Sequence, residues 1–229
     1  MEAIILAGGF GTRLRSVVSD LPKPMAPVAG GRPFLEVVMD RLQCQGFNHI
    51  VLSTGYKHEA IESHFGDRYK DIELSYARET TPLGTGGGMR NSLQYCREDD
   101  IVVLNGDTLF SIDYSELFQF YHSHRTRLAV VLRNVEDVSR YGSVTTGDDG
   151  LIVGFSEKDA SSAGGTINGG IYMMHRSLLE EMPPETPFSF EKEILQTKYK
   201  TEKFYAYPSD AFFIDIGIPE DYLKMKNLS

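Results

Sequence analysis

Apolar positions along the chain follow two rhythms. Short runs without polar interruption, Ala3 to Ala7, Ile50 to Leu52, Ile101 to Leu104 and Leu128 to Leu132, have the pattern of strands buried on both faces. Between them apolar residues recur at helical spacing. Phe34, Leu35, Val38 and Leu42 predict a helix over 34–45, with Gly46 placed to cap it. Further helices are predicted over 58–65, ended by Gly66, over 89–96 after a glycine cluster, and over 114–122, while 72–76 alternates like a strand. This strand–helix–strand repetition implies an α/β fold, a mostly parallel sheet flanked by helices. After about residue 135 the rhythm changes. Residues 142–146, 151–155 and 167–173 read as strands joined by turns such as Gly147-Asp148-Asp149-Gly150, and helical stretches follow near 189–197 and 219–225. No repeat or linker divides the chain, so a single domain over 1–229 is expected, with a more antiparallel second half.

A chain of 229 residues buries about 70% of its unfolded surface and needs no disulfide or metal to fold. Its 23 Lys and Arg against 32 Asp and Glu leave a formal charge of −9. That balance opposes nucleic-acid or membrane binding, but a few local cations suffice for a phosphate ligand. Cys44 and Cys96 are isolated, without zinc-ligand spacing, which favours a reducing cytoplasm. The first apolar run is too short for a signal-peptide core or a membrane span. His49, His58, His64, His122, His124 and His175 show no metal-ligand spacing and read as structural or surface groups.

Ligands of open α/β sheets sit beyond the carboxyl ends of the strands. That rule selects Gly8 onward, Thr54-Gly55, the cluster Gly84 to Gly88, and Asn105-Gly106-Asp107. In Leu6-Ala7-Gly8-Gly9-Phe10-Gly11-Thr12-Arg13-Leu14 the glycines let backbone N–H groups approach phosphate oxygens, and Arg13 adds a forked cation. Downstream, Leu21-Pro22-Lys23-Pro24-Met25 holds a lysine between two prolines, which lowers the entropy lost in fixing it. The P-loop pattern fails because no Lys-Ser/Thr follows Gly11. The dinucleotide fingerprint fails because Leu14 stands where its third glycine belongs.

Together, the glycine loop and the Pro-Lys-Pro segment resemble the signature of the sugar-1-phosphate nucleotidyltransferases. The resemblance spans nearly the whole chain. It implies a Rossmann-like mixed sheet of the nucleotide-diphospho-sugar transferase type, with a nucleotide part over about 1–135 and a sugar-phosphate part over about 136–229. It also implies a cytoplasmic, Mg²⁺-dependent transfer of a nucleotide to a sugar 1-phosphate with release of pyrophosphate, and it admits a homodimer. The stretch Leu14 to Val28 is most similar to members that use GTP and a manno-heptose 1-phosphate for bacterial surface polysaccharide.

Site residues follow residue by residue. Asp107 ends a buried strand, and Asp215 is an acid within the apolar run Phe213 to Ile216. Burying such a carboxylate unpaired is costly, so Asp215 is salt-bridged, exposed or on a metal. The resemblance makes both aspartates Mg²⁺ ligands, and it assigns Arg13 to the leaving phosphates and Lys23 to the α-phosphate. It assigns the nucleotide to Leu6, Ala7, Gly8, Gly9, Gly11, Thr12, Gly84, Thr85 and Gly86. Glu79 is either a reader of guanine N1–H and N2–H or a solvated loop charge. On the sugar side the matching residues are Gly142, Glu157, Lys158, Asn168 and Gly169, while Arg140 is either a phosphate contact or a surface charge. A short uridylyl- or thymidylyltransferase is the nearest alternative. A non-catalytic nucleotide-sugar-binding subunit would have lost Arg13, Lys23, Asp107 or Asp215, and all four are present.

Overall fold

A computed structural model describes residues 1–11, 14, 17–18, 20–137, 142–156, 163–184 and 186–227. The elements in chain order begin with β1 (Glu2–Leu6), α1 (Phe34–Cys44), β2 (His49–Thr54), α2 (His58–Phe65), β3 (Arg68–Tyr69), β4 (Ile72–Arg78) and α3 (Gly84–Ser92). Next come β5 (Asp100–Asn105), β6 (Thr108–Phe110), α4 (Tyr114–Ser123), β7 (Leu128–Asp137), β8 (Ser143–Thr146), β9 (Ile152–Ser156) and β10 (Ala163–His175). The chain continues through α5 (Ser177–Glu180), a π-helix (Phe190–Leu195) running into α6 (Gln196–Lys198), β11 (Tyr205–Pro208), β12 (Phe213–Asp215) and α7 (Pro219–Lys226).

One sheet runs in the order β11-β7-β10-β5-β1-β2-β4-β3, with the hairpin β8–β9 attached to β10. Its centre, β5-β1-β2-β4, is parallel, and β10 and β7 join antiparallel beside β5. The uninterrupted apolar runs follow from this arrangement. On β1, Ala3 and Ile5 pack with α1, α2, α4 and α7 on one face, while Ile4 packs with α3, α5 and the π-helix on the other. Burying each large apolar side chain contributes about 1.5–3 kcal/mol, so both faces must be covered. None of the helices among the described residues is long and apolar enough to cross a membrane.

The predicted elements mostly stand within a residue or two of the observed ones. At α1 the Phe47 N–H donates to Leu42 O and Gly46 takes a left-handed φ of 81°, the expected glycine stop. The main correction concerns the glycine cluster. It does not precede the helix predicted over 89–96; it forms the first turns of α3, and a 3₁₀ turn (Leu93–Tyr95) ends the segment. Glycine is a poor helix former, yet packing requires it here. A Cβ on Gly86 would fall inside the Phe188 ring, and one on Gly88 would lie 2.7 Å from Glu79 Oε1.

Candidate active site

The carboxyl ends of β1, β2, β4 and β5 open onto one pocket of about 580 Å³. From β1 come Leu6, Ala7, Gly8, Gly9 and Phe10, and from α3 come Gly84 and Thr85. The backbones here nearly touch. A Cβ on Gly55 would lie 3.1 Å from Gly8 O, and Tyr56 N–H donates to that same oxygen at 3.3 Å. Gly11, with φ of 58°, packs against the Lys23 stem and so ties the glycine loop to the lysine. Gly86 faces Phe188 and does not line the pocket. Thr12, Arg13, Arg140, Glu157 and Lys158 lie outside the described residues.

Glu79 is half-buried in the wall and is not a solvated loop charge. Its Oε2 accepts from Leu83 N–H at 3.0 Å and its Oε1 from the Ser53 hydroxyl at 3.2 Å. Burial raises its carboxyl above the ordinary value, although those two hydrogen bonds pull the other way. An ionised carboxylate has about four lone-pair positions, so two are left to face the pocket.

The two aspartates meet through a small antiparallel ribbon. β12 pairs with β6, setting Asp215 opposite Thr108, and Ile216 N–H donates to Asp107 O at 3.0 Å. Gly217 N–H fixes Asp215 by donating to its Oδ1 at 2.6 Å. Lys23 lies between the two acids. Its ammonium is paired with Asp107 and stands 3.8 Å from Asp215 Oδ1, with the side chain only 9% exposed. The resemblance assigns Lys23 to the α-phosphate, and here its ammonium rests against both carboxylates. Two facing carboxylates repel, and this lysine offsets that repulsion.

This donor set suits a hard divalent cation. Both carboxylates already converge on one positive centre, the Lys23 ammonium. Mg²⁺ is commonly held by one or two carboxylates together with substrate phosphates. No group of three or more candidate ligands occurs among the described residues, so water and oxygens of a bound phosphate would complete the shell.

On the far side of β5, the bulge in β10 brings together Gly142, Asn168 and Gly169, three of the residues that the resemblance assigns to the sugar phosphate. Asn168 N–H donates to Gly142 O at 3.2 Å, and Asn168 Oδ1 accepts from Gly170 N–H at 3.0 Å. Gly169 lies against the Phe110 ring. Gly170, with φ of 74°, presses on the side chain of Asn105, which lines the pocket. The group therefore borders the pocket through Asn105. Phe10, Ser53, Tyr56, Thr80 and Thr81 also line the pocket and are not among the residues that the sequence assigns to it. Phe10 and Tyr56 form a ring pair with centroids 5.6 Å apart, and Asn105 was signalled by its place at a strand end.

The nucleotidyl transferase family profile matches residues 2–228. The D-glycero-alpha-D-manno-heptose 1-phosphate guanylyltransferase of Aneurinibacillus thermoaerophilus is 46% identical over 98% of this chain and 96% of its own length. The protein of the same name from Campylobacter jejuni is 41% identical over 97% of both chains. In three dimensions the chain is similar to HddC from Yersinia pseudotuberculosis, whose crystal structure was determined in complex with GMP-PN. The TM-score is 0.86 at 38% identity, covering 98% of this chain and 97% of that one.

Proposed function

The chain belongs to the nucleotidyl transferase family, and from that premise we propose that it transfers GMP from GTP to D-glycero-α-D-manno-heptose 1-phosphate. The products are GDP-heptose and pyrophosphate. The observation that carries this reading is the convergence of Asp107, Asp215 and Lys23 beside a pocket whose wall presents Glu79.

In this reading a phosphate oxygen of the sugar 1-phosphate attacks the α-phosphorus of GTP. The bond from that phosphorus to the oxygen bridging to the β-phosphate breaks, and pyrophosphate leaves. The attacking oxygen is already anionic, so no strong base is needed; the obstacle is repulsion between the two phosphates. Asp107 and Asp215 would hold Mg²⁺, which when bound neutralises phosphate charge and orients the reactants. Lys23 supplies positive charge to the α-phosphate and Arg13 to the departing phosphates. N–H groups of the glycine loop bind the triphosphate, and Glu79 accepts from guanine N1–H and N2–H. Residues 136–229 hold the sugar phosphate through Gly142, Glu157, Lys158, Asn168 and Gly169.

The test is pyrophosphate release by purified protein with Mg²⁺, each of the four triphosphates and a panel of sugar 1-phosphates. Turnover is expected with GTP and the manno-heptose 1-phosphate. Release with UTP or dTTP and a hexose phosphate, but not with GTP, would overturn the specificity and retain the family.

A further inference from the structure

Most polar side chains along the inner wall of the pocket are engaged within the protein. Ser53 donates to Glu79 at 3.2 Å, and Lys23 pairs with Asp107. The Thr85 hydroxyl donates to Glu191 Oε2 at 2.7 Å, and its oxygen accepts from Phe190 N–H at 3.0 Å. Asn105 differs. Its half-buried side chain lines the pocket, and among the described residues no protein group hydrogen-bonds its amide.

Its place in the sheet points to the sugar side. Asn105 ends β5, in register with Leu6 of β1. It stands two positions after Val103, so it lies on the face that α3 and the π-helix cover. Of the four parallel strands that open onto the pocket, β5 is the one beside β10. The two strands touch here, since a Cβ on Gly170 would lie 2.5 Å from Asn105 Nδ2. The bulge holds Gly170 in place: its φ of 74° is one that glycine adopts readily, and its N–H donates to Asn168 Oδ1. Asn168 Nδ2 in turn donates to the buried Tyr172 hydroxyl at 2.7 Å. Both ends of the Asn168 amide are thus engaged inside the bulge, and the neighbouring amide that faces the pocket is that of Asn105.

We propose that Asn105 determines which sugar is accepted, its amide hydrogen-bonding hydroxyl groups of the sugar in the sugar 1-phosphate. This inference rests on the transfer proposed above. An amide presents donors at one end and an acceptor at the other. Sugar hydroxyls satisfy both ends, because a hydroxyl donates to Oδ1 or accepts from Nδ2. A phosphate presents strong acceptor oxygens and would set them against Oδ1. The ribose of the nucleotide also carries hydroxyls, but the contact with Gly170 puts Asn105 on the β10 side of the pocket.

Asn105→Ala and the near-isosteric Asn105→Leu are compared with the native protein by pyrophosphate release, using whichever sugar 1-phosphate the panel identifies and its monodeoxy analogues. Loss of two neutral hydrogen bonds should lower kcat/KM for the sugar 1-phosphate about 5- to 150-fold in both variants. The calorimetric Kd for GTP should stay within about twofold, which also shows that the variants are folded. The native protein should discriminate against the analogue that lacks a hydroxyl read by Asn105, and Asn105→Ala should lose that discrimination while keeping it at other positions. A sugar 1-phosphate kcat/KM within about twofold of native in both variants would overturn the inference. So would discrimination retained at every position, a higher Mg²⁺ requirement with the sugar KM unchanged, or weakened GTP binding in a variant that unfolds at the native temperature. The two failures are distinct. No turnover of any sugar 1-phosphate by the native protein removes the transfer itself, whereas native turnover with insensitive variants removes only the role of Asn105.

Discussion

Replacing Glu79 by Gln tests how the pocket selects guanine. In the native protein the two carboxylate oxygens serve Leu83 N–H and the Ser53 hydroxyl, leaving two lone-pair positions for the base. Gln has one oxygen. That oxygen stays with Leu83 N–H, and the new NH₂ donates to Ser53 Oγ, whose hydroxyl can rotate to accept. One lone pair then remains for guanine, and an N–H faces its second donor. The loss is one charge-assisted hydrogen bond, about 1.5–3 kcal/mol, or about a 10- to 150-fold fall in kcat/KM for GTP. The assay is kcat/KM for GTP and ITP in both proteins. ITP lacks the N2 amine, so the native protein should prefer GTP and the variant should nearly lose that preference. Acid pH gives a second reading. Burial raises the Glu79 carboxyl above its ordinary value, so it protonates earlier than a free glutamate as pH falls. KM for GTP should therefore rise toward low pH in the native protein and stay flat in Glu79→Gln. An unchanged GTP-to-ITP ratio in the variant would refute the role.

Lys23→Ala removes the cation shared by Asp107 and Asp215 and should lower kcat by about 10²- to 10³-fold, measured by pyrophosphate release; turnover near the native rate would reject its role. Asp107→Asn and Asp215→Asn should each weaken Mg²⁺-dependent turnover, and the double variant should add little, because one ion needs both; fully multiplicative losses in a Mg²⁺ titration would argue for separate tasks. Glu2→Ala should cost about 1–3 kcal/mol in denaturant unfolding, since it leaves the buried His49 ring without its hydrogen-bond partner. Burial works to raise the Glu2 carboxyl, but hydrogen bonds from His49 and from the N–H groups of Arg97 and Glu98 outweigh it and hold the carboxyl below the ordinary value. Its contribution is then complete above the unfolded carboxyl value and is lost as pH falls through the folded one; a Glu2→Ala deficit that stayed constant down to the acid transition would contradict this.

Which features were readable from sequence depends on whether the determining interactions are local. Unbroken apolar runs and glycine caps are local signals, and β1, β2, β5, α1 and α2 stood nearly where those signals put them. The glycine loop and Asp107 stood out because strand ends point to ligand sites, whereas Glu79 was left open between a base reader and a solvated loop charge. The helix start at Gly84 was not, since it depends on Phe188 packing against Gly86 from far along the chain. Strands β6 and β12 were missed for the same reason: each is three residues long and finds its partner only across the fold. The position of the Lys23 ammonium between two acids also required the tertiary structure. Glu191 was not singled out, because nothing near it in sequence announces its partner Thr85.

The β6–β12 ribbon also sets the order in which competence is acquired. Asp107 is translated well before Asp215, and only backbone pairing across that long intervening loop brings them to a common point. Closing such a loop is entropically unfavourable until the surrounding sheet is in place. A nascent or nicked chain with only the parallel half folded therefore lacks the pairing that sets Asp215 beside Asp107, and under the proposed role of these two acids tight divalent-ion binding would report that folding has finished.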